Sequence, residues 1–256
     1  MLVATSTKET TMDDPYNPTR RRLLRDLTGA GIGVAGAGVL GRELLGGDSE
    51  VADAATPSCT LSPEVTQGPY YLDLDKIRRD VTEGKPGLRL DLRIKVVNAS
   101  RCKALEDVAV EIWHADAGGT YSGFSQEGTA GKTYLRGVQL TGESGVAQFH
   151  TIYPGWYAGR AIHIHMKAHV GGRAAGRTYK GGRTAHTGQL FFNDSVSDRV
   201  VRLSPYSGRS GTRLRNSEDS IYHQAGSGAL LRLRRRKAST IRKGLIGTIT
   251  VGIDPS

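Results

Sequence analysis

The stretch Trp156-Tyr157-Ala158-Gly159-Arg160-Ala161-Ile162-His163-Ile164-His165-Met166 decides how the rest of the chain is read. Its second half alternates. On a β-strand, side chains two apart share a face. His163 and His165 therefore project together, while Ile162, Ile164 and Met166 turn the other way into a core. Two imidazoles on one face of an apolar strand are half of a metal site. Tyr157 lies just upstream, and Arg160 sits between. A second tyrosine, Tyr121, follows the strand-like run Val108-Ala109-Val110-Glu111-Ile112-Trp113-His114 and the glycine turn Gly118-Gly119.

Further strands surround this one. Leu88, Leu90, Leu92, Ile94 and Val96 alternate as a half-buried strand does. Residues 137–140 and 145–151 read as a pair of short strands about a turn, and 188–193 and 247–253 as two more. Residues 197–226 read as loop or short helix. Short strands, frequent turn residues and no helical period predict an all-β fold: one β-sandwich domain of mostly antiparallel strands. Two stretches are read as loops. One is the Gly/Arg-rich segment 171–182. The other is Arg232-Leu233-Arg234-Arg235-Arg236-Lys237, a charge run of the kind usually found solvated, with attachment to an acidic polymer or envelope surface as its second reading.

The chain has 256 residues and a formal net charge of +10, a balance that favours solubility and anionic partners. No nucleic-acid-binding motif and no interleaving of aromatic with basic residues is present, so nucleic acid is not expected as a partner. Near the start, Thr19-Arg20-Arg21-Arg22-Leu23-Leu24-Arg25 precedes a mildly apolar Gly/Ala-rich run and Ala52-Asp53-Ala54. Basic patch, apolar segment and small-residue cleavage site form an export signal, and the paired arginines resemble a Tat signal. Residues 1–54 are thus expected to be signal and linker, and 55–256 the exported domain, extracellular or in the cell envelope. Arg42 and Glu43 interrupt the apolar run, and no stable membrane span is expected after processing. The two cysteines, Cys59 and Cys102, follow the expected cut. In an oxidising compartment they read as one disulfide tying the opening segment to the chain before Trp113. Two separate buried thiols, or a lipoprotein Cys59 behind the poor lipobox Thr56-Pro57-Ser58, are the alternatives.

Two His with one or two Tyr also narrow the metal. Zinc takes His, Cys or carboxylate. Phenolate is a hard anionic oxygen that suits a hard trivalent cation, and Fe(III) is the common biological choice. His169 could instead join His163 and His165 in a zinc site of hydrolase type. A metal-free sandwich module that binds aromatic or sugar polymers is the third reading. His114, His150, His186 and His223 read as structural or surface residues.

Four motifs carry a resemblance. Val110-Glu111-Ile112-Trp113-His114-Ala115-Asp116-Ala117-Gly118-Gly119-Thr120-Tyr121-Ser122 is similar to the first iron–tyrosine motif of the intradiol ring-cleavage dioxygenases. Tyr153-Pro154-Gly155-Trp156-Tyr157, with Arg160-Ala161-Ile162-His163-Ile164-His165, resembles their second tyrosine and paired histidines. Gly188-Gln189-Leu190-Phe191-Phe192 resembles the strand of the pocket glutamine, and Thr66-Gln67-Gly68-Pro69-Tyr70-Tyr71 the opening motif. The resemblance runs over roughly residues 59–254. It implies a β-sandwich with one non-haem Fe(III), and O2-dependent opening of catechols between their hydroxylated carbons to muconate-type diacids. Carried over, Tyr121 and His165 would be equatorial ligands, and Tyr157 and His163 axial. Tyr157 would also accept a proton, and Arg160, Gln189 and Tyr70 would contact the aromatic diol. The Tyr157–Arg160 segment is shorter than in the familiar cytoplasmic enzymes, and their helical N-terminal dimerisation region is absent. The chain looks more like an exported single-domain branch, and a homodimer stays open.

Overall fold

The structure, a computed structural model, describes residues 59–256. The expected export signal over 1–54 and the start of the expected domain at 55 lie outside them. Eight strands run β1 (Arg89–Asn98), β2 (Ala109–Trp113), β3 (Arg136–Leu140), β4 (Val146–Ile152), β5 (His163–Ala175), β6 (Thr178–Phe191), β7 (Arg232–Lys237) and β8 (Thr240–Ile253). They form two four-stranded sheets, ordered β4-β1-β8-β7 and β3-β2-β5-β6. All neighbours pair antiparallel except β1 and β8, which run parallel. The β-sandwich read from the sequence is the observed fold. Among the described residues no helix is long and apolar enough to cross a membrane.

Period-two patterning produces the core. From β1, Leu90, Leu92, Ile94 and Val96 point inward and are fully buried. From β5, Ile164 and Met166 meet them, with Ile112 and Leu190 from the flanking strands. Each such side chain contributes about 1.5–3 kcal/mol by leaving water. His163 and His165 therefore emerge on the outer face of their sheet. The chain covers that face, so β2 is buried on both sides rather than alternating.

Both expected loops are strands. Residues 171–182 belong to a long β5–β6 hairpin in which Gly172 pairs with Gly181 and Arg173 with Lys180. Glycine disguised it: Gly172 sits where a Cβ would lie 2.3 Å from the Tyr179 hydroxyl, which accepts a hydrogen bond from the Gly172 N–H. Buried Tyr179 anchors the hairpin on Ala109 and Val138. The basic run 232–237 is edge strand β7, solvated but paired with β8. Edge strands carry such charges because they discourage further pairing. Of two short helices, α1 (Asp194–Val200) runs into the start of the 197–226 region and α2 (Ser220–Ala225) lies within it. Cys59 and Cys102 are disulfide-bonded, joining the first described residue to the turn after β1.

Candidate metal centre and active site

Register builds the floor of the site. Trp113 on β2 faces Arg136 on one side and His165 on the other, and His165 faces Gln189. Cross-strand partners share a face, so Arg136, Trp113, His165 and Gln189 form one row across four strands. His163 occupies the next outward position on β5. The Trp113 indole stacks on the His165 ring at 4.9 Å and 6°. Loops then bring the tyrosines over this floor. Tyr121 leaves the 116–120 turn, where Asp116 accepts from the Gly118 and Thr120 N–H groups. Gly119 has φ +80°, and a Cβ there would stand 2.0 Å from the Trp156 carbonyl oxygen. That contact packs the Tyr121 turn directly against the segment carrying Tyr157.

Four donor atoms converge. The Tyr121 hydroxyl lies 3.2 Å from His165 Nε2 and 3.5 Å from His163 Nε2. The Tyr157 hydroxyl lies 3.3 Å from His163 Nε2, and the two Nε2 atoms are 3.0 Å apart. His163 Nδ1 donates to the Ala161 carbonyl at 2.7 Å, leaving its Nε2 as a lone pair aimed at the other donors. Burial pushes His163 down to about 3 and His165 well below the imidazole range, with neighbouring cationic groups adding to both. Both rings are thus neutral. Burial also pushes the Tyr121 phenol well above its ordinary value, and the nearby Tyr157 adds to that. Tyr157 is raised by burial too, with the Arg160 cation opposing.

This donor set fits a cation. Donors about 2.0–2.1 Å from one ion stand roughly 3 Å apart, the observed separation. Two neutral imidazoles and two phenols, which a trivalent charge would deprotonate, match Fe(III). The zinc set is not assembled. His169 lies two alternate steps beyond His165, about 13 Å along the strand, and its ring bonds Glu111 and Thr184. Among the described residues no three or more of His, Cys, Asp and Glu gather to hold a metal.

The remaining expected residues join the rim. Arg160 Nη2 donates to Gln189 Oε1 at 2.6 Å, and Gln189 Nε2 donates to the Thr66 carbonyl at 2.8 Å. Tyr70 stacks flat on Tyr121, centroids 4.2 Å apart and planes 4° apart, and donates its hydroxyl to Glu127 at 3.2 Å. Gly68 passes so close that a Cβ there would lie 3.2 Å from His165 Cε1. His114 is structural: it is buried between the Ala115 carbonyl and the Thr151 hydroxyl, and burial lowers it to about 4.

Two important residues escaped the sequence reading. Asp219 is buried and accepts from Arg160 Nε at 2.9 Å and the Ala161 N–H at 2.7 Å. It also caps α2 by accepting from Ile221 and Tyr222. Arg136 is buried too. It donates to the Ser122 hydroxyl and carbonyl and to the Tyr70 carbonyl, fastening the loops that carry Tyr121 and Tyr70 to the sheet. A faint signal existed for Asp219, an acid before the short apolar-containing run Ser220–Ala225, as N-caps are placed. Nothing near Arg136 marked it.

Comparison with known proteins defines the family. The sequence profile of a family described as Dioxygenase matches residues 62–193. An intradiol ring-cleavage dioxygenase from Tetranychus urticae is 32% identical, with a TM-score of 0.68 over 77% of this chain and 96% of that one. The dioxygenase domain of a dioxygenase carbohydrate-binding protein fusion from Streptomyces sp. SirexAA-E is 28% identical, with a TM-score of 0.53 over 77% and 99%. A chlorocatechol 1,2-dioxygenase from Cupriavidus pinatubonensis is 24% identical over 147 residues, 48% of this chain and 53% of that protein. The chain spans about half the length of the curated relatives it matches. Profile, fold and the similarity to the Tetranychus urticae protein together show that the chain belongs to the intradiol ring-cleavage dioxygenases.

Proposed function

We propose that this protein opens catechol-type aromatics between their two hydroxylated carbons with O2, giving muconate-type diacids and using Fe(III) held by Tyr121, Tyr157, His163 and His165. The observation that carries this reading is the convergence of two phenol oxygens and two imidazole Nε2 atoms around His163 Nε2, linked by four contacts of 3.0–3.5 Å. A bound ferric ion would supply Lewis acidity and a template for the diol. The chain's own residues do the rest. Tyr157 is half-buried whereas Tyr121 is fully buried. Tyr157 Oη is therefore the accessible tyrosine oxygen, and as the phenolate that a bound trivalent ion would stabilise it would be placed to receive a proton from a diol hydroxyl. Arg160, fixed by Asp219 and Gln189, presents a permanent cation where charge builds on the ring. Tyr70, Tyr71 and Trp113 pack with Tyr121 and wall the site.

Export is the second part of the proposal. The Arg20-Arg21-Arg22 signal would deliver folded protein to an oxidising compartment, and the Cys59–Cys102 disulfide supports such a destination. The test of the metal assignment is iron content and colour. Purified protein should be red-brown from tyrosinate-to-iron charge transfer and hold one iron per chain. Protein that stays colourless after iron loading would overturn the ligand set.

A further inference from the structure

We infer that the outer face of the β4-β1-β8-β7 sheet binds one chain of an acidic polysaccharide. The basic run 232–237 does not lie alone. β7 turns Arg232, Arg234 and Arg236 outward, and β1 turns Arg89, Arg93 and Lys95 to the same face. All six are exposed. Strand β8 lies between and contributes Ile246, Thr248 and Thr250, half-buried and uncharged. Register aligns the rows. Thr248 pairs with Arg93 on one side and Arg232 on the other, Ile246 with Asp91 and Arg234, and Thr250 with Lys95. Neighbouring strands are about 4.8 Å apart, so the two cationic rows stand about 10 Å apart across a hydroxyl-bearing floor.

Asp91 is the one carboxylate at the outward positions of these four strands, and it is already engaged. It accepts from Arg89 at 3.0 Å, His150 at 2.8 Å and Arg236 at 2.6 Å. The Arg236 side chain crosses beside Gly244, where a Cβ would lie 3.0 Å from its Cδ. This bridge closes one end of the trough. Arg93, Lys95 and Arg234 line the rest with no acidic partner within salt-bridge distance among the described residues.

The chemistry of the trough selects the partner. Cationic rims suit carboxylate or sulfate groups, and threonines on the floor suit sugar hydroxyls. The outward positions carry no Phe, Tyr or Trp on which a base could stack, and the one imidazole there, His150, is held by Asp91. Among the described residues the single exposed large apolar side chain is Leu61, which is not on these strands, so the face has nothing to insert into a bilayer. The metal centre lies on the outer face of the other sheet, so a polymer held here leaves it open.

The test uses the full-length protein in affinity electrophoresis through gels containing polygalacturonate or neutral dextran. Polygalacturonate should retard the protein and dextran should not. Arg93→Glu/Lys95→Glu/Arg234→Glu should weaken binding by about tenfold or more. Arg173→Glu/Arg177→Glu/Lys180→Glu changes net charge equally on the β5–β6 hairpin and should retain binding. Should the first variant fold poorly, Arg93→Gln/Lys95→Gln/Arg234→Gln carries the same comparison, with about half the charge change. Equal losses in the two Glu variants would make the effect one of net charge and overturn the site. Tighter binding to duplex DNA or to phosphatidylcholine–phosphatidylglycerol vesicles than to polygalacturonate would overturn the choice of partner.

Discussion

Asp219→Asn isolates what a buried carboxylate does for Arg160. Asparagine caps helices as well as aspartate, so its oxygen can still serve Ile221 and Tyr222 at the Oδ1 position. Its amide then replaces Oδ2 and confronts two donors, Arg160 Nε and the Ala161 N–H. A charged hydrogen bond is worth about 1.5–3 kcal/mol, and leaving a buried donor unsatisfied costs about 1–3 kcal/mol. Together these come to about 2.5–6 kcal/mol, which brackets the roughly 3–5 kcal/mol lost on breaking a buried ion pair. Urea unfolding measures it. Burial alone would raise the Asp219 pKa, but the Ala161 N–H and the Arg160 cation outweigh it and hold the pKa low. A depressed folded value means the contribution is full above the unfolded carboxylate pKa of about 3.9. It is lost as pH falls through the folded value, so the variant should flatten the acid limb of stability. Turnover should fall about 10–10²-fold, part of the 10²–10³ assigned to a preorganised cation such as Arg160. The deciding assay is a double-mutant cycle with Arg160→Gln. If Asp219 acts by positioning Arg160, the double variant turns over no more slowly than Arg160→Gln alone. Fully additive losses in turnover would refute the reasoning.

Other expectations concern the scaffold and export. Gly119→Ala combines a left-handed backbone with a 2.0 Å clash against the Trp156 carbonyl, and should cost at least about 2–3 kcal/mol by thermal unfolding while lowering iron content. Reducing the Cys59–Cys102 bond opens a loop of 43-residue separation, which chain entropy values at about 4 kcal/mol; urea midpoints with and without reductant check it. Replacing Arg20, Arg21 and Arg22 by lysine should retain the protein inside cells, and undiminished protein in the medium would reject the signal.

What the sequence made legible was what period and local chemistry encode. Ile162 to Met166 declared a strand, its core face and its histidine face in five residues, and Tyr121 follows a glycine-bearing turn while Tyr157 precedes one. Asp219 and Arg136 stayed hidden because their meaning is long-range. Asp219 acts 59 residues away on Arg160, and Arg136 acts 66 residues away on the Tyr70 carbonyl. An isolated acid or arginine has no local signature for such a task. The 171–182 hairpin was missed for the opposite reason. Its glycines are a strong local turn signal, but of these only Gly176 makes the turn; the others lie in a ladder held by Tyr179, and tertiary packing overrides propensity. The basic run at 232–237 read as a lone solvated loop because only strand order reveals that Arg93 and Lys95 lie across β8 from it.

The central claim is ring opening between the hydroxyls. The most direct measurement is product identity after incubating iron-replete protein with catechol, protocatechuate and hydroxyquinol under O2 without added reductant. The account predicts a muconate-type diacid from at least one of them, identified by mass and ultraviolet spectrum, and its loss in Tyr121→Phe. A yellow semialdehyde, or no ring opening of any catechol at full iron occupancy, would contradict it.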